Sequence, residues 1–285
     1  MAGRLTYVLR QHFSYAYDAP VQDLNHRLVV VPPRRHGDQR RLRHSIIVSA
    51  ANARTTHRHD AAGNLVTRAR VPLVPDRVEF VVDAVVERSA EPGPGVLMPA
   101  AALTDSRLLR PTRLTAADAA IRRLAARMAD RDGLATADRF CAYVHKAISY
   151  AYGVTSVTTT AAEALAGGQG VCQDSAHVML ALCRAIGLPA RYVSGHLLRE
   201  GGTHAWVEVI VADAGSGAAR AVALDPCNGC RVGVNYLTVA TGRDYTDVPP
   251  TSGTYVGSAR GTLTASKRID VAMTRPDQAA SPRLH

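Results

Sequence analysis

The hydrophobic period of the chain changes once, near residue 115, and that change decides what it can fold into. Up to about residue 90, apolar and polar residues alternate through RLTYVLRQHFSYAY, LNHRLVVVPP, RHSIIVSA, NLVTRARVPLV and RVEFVVDAVVER. The turn formers PPRRHGD, NART and DAAGN punctuate these runs. Strands at this spacing, with no helical window, predict an antiparallel sandwich-like β domain over residues 1–90. The glycines and prolines of AEPGPGVLMPAAALTDSRLLRPTRL mark a linker at 91–114. From Thr115 the period becomes helical. TAADAAIRRLAARMAD sets Ile121, Leu124, Ala125 and Met128 on one face behind a capping Thr115. ATADRFCAYVHKAISYAY predicts a second helix, and TTAAEALAGGQG a short one ending in glycines. The longer helix of GVCQDSAHVMLALCRAIG is stopped by Gly187 and Pro189. Alternation then returns in ARYVSGHL, HAWVEVIVA, ARAVALDP, NYLTVATG and GTLTASKRIDVAMTR. The expectation is an α+β domain over 115–272 and a flexible tail at 273–285.

Composition removes several function classes. The net charge is +10, but all the basic residues except Lys146 and Lys267 are arginines scattered along the chain. No basic run interleaves with aromatics, so a nucleic-acid partner is not expected. Five cysteines are too few and too irregularly spaced for a disulfide scaffold. MAGRLTYVLRQHF lacks the apolar stretch of a signal peptide, and no apolar run approaches a membrane span. The expectation is a soluble protein of the reducing cytoplasm.

The chemistry concentrates after residue 167. Cys172 falls in the first turn of its helix, where unpaired backbone N–H groups and the helix dipole stabilise a thiolate. Gly167, Gly168 and Gly170 are expected to leave room for a substrate backbone. Cys183, mid-helix among apolar neighbours, reads as core, and so does Cys141. A thiol nucleophile needs a base. Of the eleven histidines, His204 opens THAWVEVIVA after a glycine loop, which places it at a sheet edge. His196, at the end of RYVSGH, reads as a supporting residue at most. Asp225 closes the strand AVALD and can orient an imidazole, although an Asp there also suits a plain turn.

GVCQDSAHVMLALCRAIGLPARYVSG, THAWVEV and ALDPCNG resemble, in this order, the transglutaminase-like superfamily of papain-like cysteine enzymes. YVLRQHFSYAYDAPV, LVVVPP and DAAGNLV resemble the N-terminal β domain of its bacterial members, often called cysteine proteases, and GRDYTDVPPTSGTYVG resembles the segment after their acidic residue. The resemblance runs from residue 4 to about 272. It implies a helix carrying Cys172 packed on an antiparallel sheet that bears His204 and Asp225, with Cys172 as nucleophile, His204 as base and Asp225 as orienter. Two positions depart from the pattern. Ser175 stands where an aromatic is expected, and Cys227 stands where Thr is expected, making a CxxC pair with Cys230.

The implied function is acyl transfer through a Cys172 thioester on a peptide or carboxamide. Water as acceptor makes the protein a peptidase or amidase. An amine makes it a transglutaminase-type ligase, and some relatives are thought to work with peptide-ligating ATP-grasp partners. A non-catalytic scaffold is the remaining alternative. No HExxH or second CxxC is present, so no metal is expected, and no organic cofactor either.

Overall fold

A computed structural model describes residues 3–91 and 93–274. The chain forms two compact units. The first opens with β1 (Arg4–Tyr17), β2 (Val21–Val31), β3 (Arg35–His36), β4 (Gln39–Val48), β5 (Arg54–His59), β6 (Leu65–Val74) and β7 (Arg77–Ser89). The second holds β8 (Val96–Met98), α1 (Ser106–Leu109), α2 (Ala119–Met128), α3 (Gly133–Ala147), β9 (Ser149–Tyr150), α4 (Ala161–Gly167), β10 (Gln169–Gly170) and α5 (Cys172–Ala185). It continues through β11 (Ala190–Leu197), β12 (His204–Ala212), β13 (Ala219–Asp225), β14 (Cys230–Arg231) and β15 (Tyr236–Gly242). The chain then returns to the first unit as β16 (Thr251–Val256) and β17 (Gly261–Thr274).

The first unit is all-β, with sheets ordered β17-β1-β7-β4-β3 and β16-β2-β6-β5. Their inward residues share one core, in which Phe13, Val78, Phe80 and Val82 of the first sheet meet Leu24, Leu28, Ala69 and Val71 of the second. This is the sandwich that the alternating pattern predicts. The expected boundary at residue 272 needs correction. β17 pairs with β1 over its whole length, from Arg4↔Thr274 to Tyr17↔Gly261, and β16 pairs with β2. Period-2 alternation identifies a strand but carries no information about which sheet receives it. Met273 and Thr274 accordingly lie in β17, and the rest of the expected tail lies outside the described residues.

The expected linker at 91–114 also needs correction. β8 pairs with β13, and α1 and a single 3-10 turn at Ala100–Thr104 follow. Gly95 has φ +120°, and a Cβ there would stand 2.3 Å from the Ala221 carbonyl oxygen, so only glycine lets the backbones approach this closely.

The second unit packs α5 on the antiparallel sheet β14-β13-β12-β11-β15, with α2, α3 and α4 against α5's other sides. Twelve of the fourteen α5 residues are buried, and between Ala176 and Cys183 every side chain but His177 is apolar. Its C-terminal end is fixed by Arg184, which is buried and donates to the carbonyls of Leu108, Ala190 and Arg243 and to Thr115 Oγ1. Thr115 therefore serves Arg184 rather than α2. The cap of α2 is Asp118, whose Oδ1 accepts from Ile121 N at 2.8 Å.

Candidate functional site

The N-terminal end of α5 is built from its own first turn. Asp174 is buried, and its Oδ2 accepts from Val171 N at 2.8 Å and from Thr155 Oγ1 at 2.7 Å. One carboxylate thus caps the helix and ties down the 151–160 segment, with its charge at the positive end of the helix dipole. A Cβ at Gly170 would stand 2.6 Å from Asp174 Oδ2. Gly168, at φ +63°, is the left-handed cap of α4. Both glycines therefore answer to backbone and packing demands of the chain itself, not to the substrate clearance expected of them. The short parallel pair β9–β10 holds Tyr150 opposite Gly170, two residues before Cys172.

His204 and Asp225 come from the adjacent strands β12 and β13, one at the start and one at the end of the hairpin. The His204 Nε2–H donates to Asp225 Oδ2 at 2.7 Å, and the imidazole is also hydrogen-bonded to the Cys172 side chain. All three sequence-singled residues thus meet at one point. His204 and Asp225 are buried, and Cys172 is partly exposed. Burial alone would lower the His204 pKa. The hydrogen bonds to Asp225 and Cys172, with the charges of those groups, overcome it and push the pKa up to about 10. Asp225 is the mirror case. Burial would raise its pKa, but the His204 hydrogen bond and charge, then the Tyr236 and Asn228 hydrogen bonds, hold it below the usual carboxylate range.

Two of those partners are not legible as site residues in the sequence. Tyr236 OH donates to Asp225 Oδ2 at 2.8 Å, and Asn228 Nδ2 donates to the same oxygen at 2.7 Å. The backbone N–H groups of Cys227 and Asn228 donate to Oδ1 at 2.9 and 3.1 Å. The CNGC turn therefore wraps the carboxylate, as an Asx turn does. The available signal was the Asp-Pro-x-Asn-Gly string itself, which predicts a turn folded back on its Asp.

The remaining cysteines separate by environment. Cys183 is fully buried, and burial pushes its pKa up to about 12. Burial followed by the Asp225 charge does the same to Cys141. Cys141 is not plain core, however, since its thiol donates to the Asp225 carbonyl at 3.3 Å. Cys230 is exposed, with its sulfur 3.5 Å from Tyr236 OH, and the Cys227 carbonyl accepts from His145 Nδ1 at 2.8 Å. His196 is buried in β11, its backbone opposite Leu237.

Below His204, Trp206 is fully buried, with ring centroids 6.2 Å from His204 and 5.4 Å from Tyr236. It fits because of Gly195, where a Cβ would stand 2.4 Å from the indole and 2.3 Å from the Leu237 carbonyl oxygen. Among the described residues, no helix is long and apolar enough to cross a membrane, and no three His, Cys, Asp or Glu side chains are grouped as a metal site.

Known proteins share this architecture. Residues 122–220 match the model of the transglutaminase-like superfamily, and residues 7–87 match that of the bacterial transglutaminase-like N-terminal region. An uncharacterized Mycobacterium leprae protein is 32% identical over 164 residues, 53% of this chain and 55% of that protein, so the match spans about half the relative's length. An uncharacterized Mycobacterium tuberculosis protein is 28% identical over 95% of this chain and 94% of its own. The crystal structure of a candidate cysteine protease from Cytophaga hutchinsonii superposes with a TM-score of 0.73 at 20% identity. That match covers 96% of this chain and 92% of the other, and shows a common fold. The chain belongs to the transglutaminase-like superfamily, with that family's bacterial N-terminal region in front of its core, and these matches support a thiol-dependent enzyme.

Proposed function

We propose that the protein is a cysteine hydrolase that cleaves a peptide, isopeptide or side-chain carboxamide bond through a thioester on Cys172. The observation that carries this reading is the His204 imidazole, hydrogen-bonded to the Cys172 thiol on one side and to Asp225 at 2.7 Å on the other. A nucleophile, a base within its reach and a buried acceptor that orients the base are the parts acyl transfer requires.

The steps follow from that geometry. With its pKa at about 10, His204 already holds the proton that the leaving group will need, and Cys172 Sγ attacks the carbonyl carbon beside that imidazolium, forming a C–S bond and an oxyanion. The Cys172 and Gln173 N–H groups, which precede the Asp174 N bond to the Val171 carbonyl, are the donors that would stabilise that charge. Collapse breaks the C–N bond, and His204 delivers its proton to the departing amine. Water then enters, His204 removes its proton, and hydroxide displaces Cys172 to release the acid and regenerate the thiolate. Throughout, Asp225 stays ionised and holds the ring in place. Hydrolysis is favoured over transfer to an amine because Cys172 is partly exposed, and a transferase has to keep water from the thioester.

The test is a mass-spectrometric screen of peptides and primary amines with wild type and Cys172→Ala. The expected result is product of hydrolysis mass with wild type and none with the variant. Amine adducts in place of hydrolysis would convert the reading to transglutaminase-type ligation. Iodoacetamide distinguishes both from a scaffold. Cys172 should be labelled faster than the other four cysteines, and more slowly in His204→Ala, whereas uniformly slow labelling would remove the catalytic reading.

A further inference from the structure

The outer face of the β16-β2-β6-β5 sheet in the first unit carries an arrangement that the thiol chemistry does not use. Along β6 the buried side chains are Thr67, Ala69 and Val71, so Arg68 and Arg70 point outward. The strand register extends this face sideways. Arg70 lies opposite Arg54 of β5, and Arg68 lies between Arg27 of β2 and Thr56 of β5. Arg58 lies opposite Val66, whose side chain is nearly covered although it points out of the sandwich. These five arginines and Val66 line one cavity of about 710 Å³. The arginine stems supply an apolar lining over Val66, and their guanidinium groups supply the charge.

The charge of the four arginines on β5 and β6 is not neutralised locally. Among the described residues, none of Arg54, Arg58, Arg68 and Arg70 has a carboxylate at ion-pair distance. Asp60 is the cavity's one acid, and it is committed to its own turn. Its Oδ1 accepts from Ala62 N and Asn64 N, each at 2.9 Å, and its Oδ2 from Asn64 Nδ2 at 2.9 Å.

The same face borders an open sheet edge. β5 is the terminal strand of its sheet, and all six of its residues are exposed. One row of its backbone N–H and C=O groups is therefore unpaired by other strands among the described residues, a template for a further strand. On β6, Arg68 and Arg70 stand about 7 Å apart, the spacing of same-face side chains on an extended peptide, and on β5 Arg54 and Arg58 stand at about twice that.

We propose that β5 and the adjoining arginine face bind an acidic protein segment in extended conformation, which pairs its backbone with β5 and sets alternate Asp or Glu side chains against Arg54, Arg58, Arg68 and Arg70. An extended peptide is favoured over a nucleic acid for two reasons. The face presents Thr56 and Val66 between its arginines and no Phe, Tyr or Trp platform for base stacking, and an open strand edge offers backbone pairing that a nucleic acid cannot use. The proposal is independent of the chemistry at Cys172.

Fluorescence anisotropy on the intact chain tests it, using a short labelled peptide of alternating Glu and Val, its Gln-for-Glu counterpart, an N-methylated version, and single-stranded and duplex oligonucleotides. The expected result is binding of the Glu peptide that weakens with salt, is at least about tenfold tighter than the Gln peptide, and falls about tenfold in Arg54→Ser/Arg58→Ser. Methylation of the amides facing β5 should weaken binding by a similar factor, and the bound peptide should slow hydrogen exchange at β5 amides. Arg58→Ser alone, with half the effect expected, serves as a second variant, and both should keep the wild-type Tm because the side chains are exposed. Equal affinity for the Gln peptide, tighter binding of either oligonucleotide, indifference to N-methylation, or no binding at low salt would each overturn the proposal.

Discussion

Each unit of the molecule buries a histidine to nearly the same depth, and the two are driven in opposite directions. His26, in the sandwich core, is 2% exposed; His204, at the candidate site, is 4% exposed. His26 stacks on Phe80 with ring centroids 4.6 Å apart, meets the edge of Tyr15, and leaves its buried Nε2 without a partner. Burial alone acts on it and lowers its pKa to about 4. His204 has Asp225 and Cys172, and is pushed up to about 10. Burial by itself removes charge from an imidazole. What creates a usable proton carrier is a buried acid whose own charge is satisfied, and Asp225 accepts five hydrogen bonds to that end.

The largest expected effect comes from making His204 more like His26. Asp225→Asn keeps the shape but removes the charge, so the ring loses its orientation and its elevated pKa. Turnover should fall by roughly 10⁴-fold, as when the orienting acid of other triads is neutralised. In wild type, the proton needed by the leaving amine is lost only as pH rises through about 10, so the alkaline limb of kcat should lie there. In Asp225→Asn that limb should move down by more than one pH unit. A pH–rate profile reads both, and an unmoved limb would show that Asp225 does not set the His204 proton affinity.

The converse change acts on stability. The folded pKa of His26, about 4, lies below the ordinary 6.5, so the unfolded chain binds the extra proton between these values. The contribution is fully present above about pH 6.5 and is lost as pH falls through 4. His204 has the opposite sign, since its contribution is complete below about 6.5 and is lost as pH rises through 10. His26→Leu should therefore remove an acid-side loss on the order of 3 kcal/mol, measured as the difference in unfolding free energy between pH 7 and pH 4. Identical slopes in wild type and variant would mean that His26 is not neutral in the fold.

The sequence revealed this contrast unevenly. Cys172, His204 and Asp225 sit at the ends of elements, where a change of period announces a position, so their neighbourhood could be read from pattern and resemblance. In the sequence nothing but a neighbouring Arg27 distinguishes His26, because the residues that enclose it, Tyr15, Phe80 and Gly253, come from other elements. β16 and β17 were legible as strands but not as members of the first unit, since alternation is the same in every sheet. The glycines before Cys172 suggested space for a substrate. Their actual constraints, the Asp174 carboxylate and a left-handed cap, are invisible without coordinates.

A smaller perturbation tests how far the surrounding packing fixes His204. Gly195→Ala would place a methyl 2.3 Å from the Leu237 carbonyl oxygen and 2.4 Å from the Trp206 ring, at a bulge between β11 and β15. Neither backbone nor buried indole can give way cheaply, so a loss of about 2 kcal/mol is expected in denaturant unfolding. Trp206 fluorescence should shift in the folded state, because the ring must move. An unchanged midpoint and spectrum would show that the bulge is looser than its geometry.

The smallest expected effect acts on the support of the acid. Tyr236 OH gives Asp225 Oδ2 one of the three hydrogen bonds that oxygen accepts, alongside His204 Nε2 and Asn228 Nδ2. Tyr236→Phe deletes that donor and leaves the ring in place against Trp206. A hydrogen bond to a charged group contributes about 1.5–3 kcal/mol, but the oxygen keeps its other two donors, so a loss near the lower figure is expected, about tenfold in kcat. Tyr236 acts through Asp225, not on substrate, so KM should stay within about twofold while kcat falls. The sign of the pH effect follows as well. With less support for its negative charge, Asp225 binds a proton more readily, and the acidic limb of the profile moves up. A purely structural role would lower stability and leave that limb where it was, whereas a positioning role moves the limb at nearly constant Tm.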